Sequence, residues 1–371
     1  MTICFAYAMV YRILLSGKYS YDFLKKKSVV SLILVSLIST PLLMSCDLAS
    51  NSETIVTERE KSSNEQAESC APEITELTFG ILAAESEETL DTFWTPLLEK
   101  MGEAIARPVL PFYGDYGRLI TSMGEKNIQI AWYGGKSYIE AAEKSQAEAF
   151  AQTVSSQGYL GYYGHLMMHK DHPLLVQIDL EQGNGDKVVF QNAQDLTFAF
   201  NDSQSTSGFL VPTYYLFIQN NLEPQAIFKS VSFLGSHENT ALAVANQEVD
   251  VATNNSEALQ RLKQSNPEAY ENIRVIWTSP IIPGDPLAYR QDLPDCLKTA
   301  IQNFFYRFTD REILEPLVWS GFDPASDRTW NVIRELEVAK QIQRLKQDDT
   351  LSEAEKGTKL EALQQQLKEF Q

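Results

Sequence analysis

The residues best equipped for chemistry are Ser205-Thr206-Ser207-Gly208. Three adjacent hydroxyls can each donate a hydrogen bond, and a glycine beside them lets backbone come close to a ligand. A strand-like run, residues 196–200, leads into this cluster, and a helical run, residues 209–222, leads out of it. At a helix start the first N–H groups have no partner within the helix and the dipole is positive, which favours a tetrahedral oxyanion. Ser205 or Thr206 would serve equally well as an N-cap, and the cluster alone does not separate the two roles.

Other reactive residue types are sparse. His165, His169 and His172 invite a metal reading, but the alternation around them points to a strand and a turn. On a strand His165 and His169 would stand about 13 Å apart with His172 facing the other way, so chelation by all three fails and surface histidines are expected. Ser205 with His237 could be read as the nucleophile and base of a hydrolase. The Gly-x-Ser-x-Gly turn is missing, and no particular acid is placed to orient His237. Cysteine is confined to Cys4, Cys46, Cys70 and Cys296, with no CxxC and no zinc spacing. Cys70 is open to two readings, a free thiol or a partner of Cys296. No catalytic residue, metal or cofactor is expected.

Positioning the hydroxyls requires a scaffold in which strands and helices alternate. Strands are expected at 77–82, 109–113 and 127–132, with helices at 87–101, 116–123 and from Ser137 into an alanine-rich stretch. A strand follows at 159–168, and residues 177–194 read as a hairpin or crossover. A second block repeats the alternation, with strands at 230–234, 249–253 and 274–278 and helices at 239–246 and 257–264. A proline-rich turn through Pro286 and a helix at 293–308 close it. This order argues a parallel α/β sheet, whose ligands bind beyond the carboxyl ends of the strands. Tyr113, Tyr116, Tyr133 and Ser137 lie at such ends.

The 371 residues carry 31 basic against 49 acidic side chains, a net charge of −18. That argues against nucleic acid and against an anionic lipid surface, but not against a small anion held by local dipoles. Lys25-Lys26-Lys27, an apolar run over 29–44 and Leu43-Met44-Ser45-Cys46 describe an export signal ending in a lipobox-like cysteine. Cys46 is therefore the expected lipidation site. The Ser- and Glu-rich residues 47–73 cannot bury enough surface to order themselves and read as a tether.

The motif order carries a resemblance. Tyr133-Gly134 ends the third strand, and Lys170-Asp171 and Asp195-Leu196 follow. Ser205-Thr206-Ser207-Gly208 with Pro212, Gly235-Ser236-His237, Val249-Asp250 and Pro283 complete the order. Over about residues 75–330 the chain resembles the periplasmic phosphonate-binding proteins of ABC importers, including phosphite and phosphate binders. The resemblance implies a type II periplasmic binding protein, with two α/β lobes enclosing the ligand in a cleft. It implies a phosphonate, phosphite or phosphate ligand, an ABC permease as partner and a periplasmic location, to which the lipobox-like Cys46 would add a membrane anchor. A periplasmic sensor for the same oxyanion is the alternative, and the expected lack of a kinase, cyclase or second membrane span in the chain counts against it.

By that resemblance Ser205, Thr206 and His237 fall on oxyanion-binding positions, Tyr133 on a cleft tyrosine and Tyr113 on the tyrosine of the early strand-end loop. Many members have Gly-Pro where this chain has Gly134-Gly135-Lys136, and Lys136 is expected to point to solvent. Ser207, Ser137, Asn254 and Glu257 complete the candidate set. The 249–253 strand exits at Asn254-Asn255, two neutral amides, and Glu257 at a helix start would complement the dipole. An acid-poor exit argues for a compact head such as phosphite, methylphosphonate or phosphate. The expected division is a signal peptide at 1–45, a tether at 46–73, lobe 1 at 74–185 and 273–328, lobe 2 at 186–272 and a helical extension at 329–371.

Overall fold

The computed structural model describes residues 70–370, so the expected signal peptide, Cys46 and the tether up to residue 69 lie outside the described residues. Two sheets organise the chain from Leu77 onward. In the first, β1 (Leu77–Leu82), β2 (Val109–Gly114) and β3 (Ile130–Trp132) run parallel, joined by α1 (Glu87–Ile105) and α2 (Tyr116–Gly124). Ser86 caps α1 by accepting from the Thr89 N–H, and α1 buries Leu90, Trp94, Leu97, Leu98, Met101 and Ile105 against the sheet. Helix α3 (Gly135–Ser145) then leads to β4 (Ala147–Ser155). Two returning strands, β10 (Pro286–Arg290) and β11 (Trp319–Pro324), give the order β11-β4-β10-β3-β1-β2.

The second sheet has the order β7-β6-β8-β5-β9. Its strands are β5 (Gly161–His169), β6 (Thr197–Phe200), β7 (Ser230–Phe233), β8 (Val251–Asn255) and β9 (Ile273–Pro283). Between them lie α4 (Gly185–Asn192), α5 (residues 206–217), α6 (Pro224–Ile227), α7 (His237–Ala245), α8 (Ser256–Ser265) and α9 (Pro267–Glu271). Helices α10 (Asp295–Arg307) and α11 (Arg311–Leu314) rejoin the first lobe, and α12 (Asn331–Gln347) and α13 (Glu353–Phe370) form a closing hairpin. Residues 177–194 thus resolve to a crossover containing α4.

Several sequence expectations need correction. Strands β5 and β9 pair with each other and β5 pairs with β8, so 161–185 and 273–283 belong to lobe 2 rather than lobe 1. Strand pattern shows that a segment is a strand but not which sheet receives it. The alanine-rich stretch is β4, because Gln146 turns left-handed at φ 54° and ends α3. There, pairing with β10 and β11 overrides alanine's helical preference. The proline-rich turn contains the end of β9 and the start of β10. Helix α5 is largely a wide helix in which the Leu210 N–H reaches the Ser205 carbonyl at 3.1 Å. His169 is buried, not a surface histidine, and accepts from the Asp171 N–H.

The chain crosses between sheets twice, at residues 156–160 and at Gly284-Asp285. A side chain at Gly284 would put its Cβ 2.1 Å from the Thr153 carbonyl oxygen, so glycine alone lets the second crossing lie against β4. The extension also touches both lobes. Helix α12 packs on α3 of lobe 1 and α5 of lobe 2, with Lys340 lying 5.4 Å from the Phe209 ring. A disulfide joins Cys70 to Cys296 on α10, which resolves the open cysteine reading.

Candidate oxyanion-binding site

The parallel strands of both sheets deliver helix N-termini to one place. Tyr116 opens α2, Gly134 caps α3, Ser205 caps α5, His237 opens α7 and Asn255 caps α8. Around them is a narrow cleft bounded by Leu82, Ala84, Tyr116, Trp132, Gly134 and Tyr162, by Ser205, Thr206 and Ser207, and by His237, Asn255, Glu257, Arg261 and Asp285. The first four, Gly134 and Asp285 come from lobe 1 or the second crossing, and the remainder from lobe 2.

The hydroxyl cluster both caps and faces the cleft. Ser205 Oγ accepts from the Gly208 N–H at 3.0 Å, Thr206 Oγ1 from the Lys136 N–H at 2.8 Å, and Ser207 Oγ from Asn255 Nδ2 at 3.2 Å. A hydroxyl has one proton and two lone pairs, so each oxygen that accepts from the protein keeps its O–H to donate. Tyr116 stands beside Ser205, and Tyr162 beside Ser207. Burial pushes both phenols well above their ordinary range, so they stay protonated donors. Gly208 is needed for packing, since a Cβ there would lie 2.6 Å from Asn201 Cβ.

His237 is neutral and its tautomer follows from a cap. Asn255 Oδ1 accepts from the Ala258 N–H at 2.7 Å, so its Nδ2 faces His237 Nε2 at 3.1 Å. Nε2 therefore accepts and Nδ1 carries the proton, and Nδ1 is buried without a partner. Burial, helped by the nearby Arg261 charge, lowers the imidazole to about 3. Neither ring nitrogen is hydrogen-bonded to Ser205, so no nucleophile–base pair is formed. Among the described residues no group of His, Cys, Asp and Glu is placed to hold a metal ion.

Acid also lines the cleft. Asp285, on the second crossing, is 8 % exposed and Glu257 5 %. Burial raises the Asp285 carboxyl well above its usual range, and the Glu257 charge raises it further. Burial also lifts Glu257, to about 7, against the pull of Arg261. Tyr162 and Trp132 lie against Asp285, while Trp319 Nε1 donates to Glu257 Oε2 at 3.3 Å. Trp132, Trp319 and Trp94 pack with centroids 5.3–5.6 Å apart, a wall that fixes the two indoles. Unpartnered buried atoms on the lining residues include Trp132 Nε1, His237 Nδ1 and Asp285 Oδ1. Such atoms are costly unless a ligand completes them.

The family model for the periplasmic substrate-binding protein of phosphonate ABC transporters matches residues 79–330. This chain belongs to that family. It is 39 % identical over 296 residues to the phosphonates-binding periplasmic protein of Escherichia coli (strain K12), covering 78 % of this chain and 84 % of that one. A solved binding protein component of an ABC phosphonate transporter from Pseudomonas aeruginosa matches with a TM-score of 0.73 at 38 % identity, covering 80 % of this chain and 96 % of that one. PhnD1 from Prochlorococcus marinus (MIT 9301), solved with methylphosphonate, shares the fold at a TM-score of 0.62 and 20 % identity, over 71 % of this chain and 97 % of that one. The chain is thus a periplasmic substrate-binding protein with the two-lobed, type II architecture.

Within this phosphonate-binding protein the candidate residues divide. Ser205, Thr206, Ser207, His237 and Glu257 come together at the cleft. Tyr133 does not, because it is fully buried and its hydroxyl donates to the Leu119 carbonyl at 3.2 Å. Tyr113 donates to Asp91 at 2.9 Å on the outer side of β2. Ser137 donates back to the Gly134 carbonyl, and Asn254 spends its amide on the His237 carbonyl and Thr240. Lys136 is buried rather than solvated, with its ammonium on the Gln204 side-chain oxygen. Missing from the candidate set were Tyr116, Tyr162, Arg261 and Asp285. Tyr116 was legible as a strand-end tyrosine, whereas Pro283-Gly284-Asp285-Pro286 looks like a turn until β9 and β10 are seen to pass through it.

Proposed function

We propose that this protein captures a phosphonate whose tail carries an ammonium group and presents it to the permease of an ABC importer. The observation that carries this reading is the pair of buried carboxyls, Glu257 and Asp285, in the same cleft as the hydroxyl cluster. The head of such a ligand would take O–H bonds from Ser205, Thr206, Ser207, Tyr116 and Tyr162 and an N–H bond from His237. Charge-assisted bonds of this kind are short and strong in a dry site. A ligand without an ammonium would leave the two carboxyls buried and holding their protons, whereas an ammonium would return them to their charged forms with a partner. The acid-poor exit that argued for a compact head is thereby replaced, because Glu257 faces the cleft and Asp285 joins it.

Attachment to the membrane through Cys46 is part of this proposal and rests on the lysine, apolar and cysteine order of residues 25–46. Isothermal titration against 2-aminoethylphosphonate, methylphosphonate, phosphite and phosphate tests the ligand. The expected result is one site without added metal, with 2-aminoethylphosphonate at least tenfold tighter than methylphosphonate and the preference lost in Glu257→Gln. Equal or tighter binding of methylphosphonate would return the compact-head reading.

A further inference from the structure

Arg261 begins in lobe 2 and ends inside lobe 1. It sits on α8 one turn beyond Glu257 and is 4 % exposed. Its Nε donates to Glu85 Oε1 at 2.7 Å, its Nη1 reaches the Leu317 carbonyl at 3.5 Å, and its guanidinium lies 5.8 Å from the Trp132 ring. Glu85 follows β1, Trp132 ends β3 and Leu317 precedes β11, so all three belong to lobe 1. In its own lobe Arg261 meets Glu257 Oε2 only at 4.0 Å.

The receiving segment is Ala84-Glu85-Ser86, and lobe 2 grips it on both sides. The Glu238 carboxylate accepts from the Ser86 N–H at 2.6 Å, and the Glu238 N–H donates to the Ala84 carbonyl at 3.2 Å. Glu85 and Arg261 are both buried by this meeting. Parting of the lobes would hand each charge to water, so the energy of the pair would belong to the closed state rather than to the fold of either lobe. An arginine fork also suits this place, since one nitrogen serves the carboxylate while another serves a carbonyl.

We propose that Arg261 and Glu85 are the latch that holds the lobes closed, setting how long cargo stays rather than which cargo is chosen. This rests on the phosphonate-binding reading above. Removing one partner of a buried charge pair acts mainly on dissociation. Stopped-flow measurement of ligand association and dissociation tests the latch in wild type, Arg261→Gln, Arg261→Lys, Glu85→Gln and the Arg261→Gln/Glu85→Gln double variant. Each glutamine variant is expected to raise the dissociation rate about tenfold or more, leaving association within about twofold. In Glu85→Gln, which leaves the Arg261 charge beside Glu257, the factor should be the same for 2-aminoethylphosphonate and methylphosphonate, with Arg261→Lys intermediate and the double variant no worse than the poorer single one. Unchanged dissociation in Glu85→Gln, additive losses, or a loss in Glu85→Gln confined to the aminoalkyl ligand would each overturn it. Glu85→Gln preserves side-chain size, so it decides the matter even if Arg261→Gln folds poorly. A wild-type protein that binds no phosphonate would reject the proposed function instead.

Discussion

Glu257 is the residue whose protonation the cleft controls. Its folded value of about 7 lies above the ordinary 4.5 because burial penalises the carboxylate more than Arg261 relieves it. The folded protein therefore holds this proton longer than the unfolded chain does. Stability of the ligand-free protein should fall as pH rises from about 4.5 through about 7, and Glu257→Gln should flatten that slope. Binding has the opposite sign, since an ammonium needs the carboxylate. The affinity for 2-aminoethylphosphonate of the wild type relative to Glu257→Gln, a ratio in which the ionisation of the ligand itself cancels, should climb by up to about tenfold per pH unit below pH 7 and level off above it. Titrations at pH 5.5, 6.5 and 8 check this; a ratio independent of pH would show that Glu257 does not meet the ammonium.

At the scale of the element, the start of α5 does two jobs that a hydroxyl can combine. Ser205 caps the helix through the Gly208 N–H, while Thr206 accepts the Lys136 N–H across the lobes. Removing each should therefore show differently. Ser205→Ala is expected to lower unfolding free energy by about 1 kcal/mol, the usual cost of a lost cap, and to weaken binding as well. Thr206→Ala should leave ligand-free stability nearly unchanged and weaken binding by about 1.5–3 kcal/mol, roughly tenfold to hundredfold. Thermal melts paired with calorimetry separate them. Equal loss of stability in both variants, with binding intact, would reduce the cluster to a helix cap.

For the whole molecule, the Cys70–Cys296 bond ties the end of the tether to α10 across 226 residues of sequence. Neither cysteine borders the cleft. Cys296→Ser should then lower stability by about 2–4 kcal/mol, the common range for a disulfide closing a long loop, with ligand affinity unchanged below the melting transition. Urea melts and titration of the same sample read both quantities. An affinity loss in the folded variant would mean that the lobe 1 base and the cleft are coupled.

Local pattern was enough for the alternation of strands and helices, the strand-to-helix junction at Ser205 and the hydroxyl donors themselves, because these depend on neighbours a few residues apart. The reciprocal bonds between Ser352 and Glu355 that open α13 are of the same local kind. Sheet membership was not. Strand β5 reads as a strand whichever sheet receives it, and only pairing with β8 and β9 puts it in lobe 2. Side-chain direction was not legible either: Tyr133 and Tyr116 both follow strand ends, yet the first turns its hydroxyl inward to Leu119 and the second lines the cleft. Asp285 and Arg261 belong to the cleft only because the second crossing and α8 meet there, 24 residues apart in sequence. Hydrogen bonds inside an element are decided by short-range geometry. The charges that meet across two lobes are decided by how the closed molecule excludes water around them.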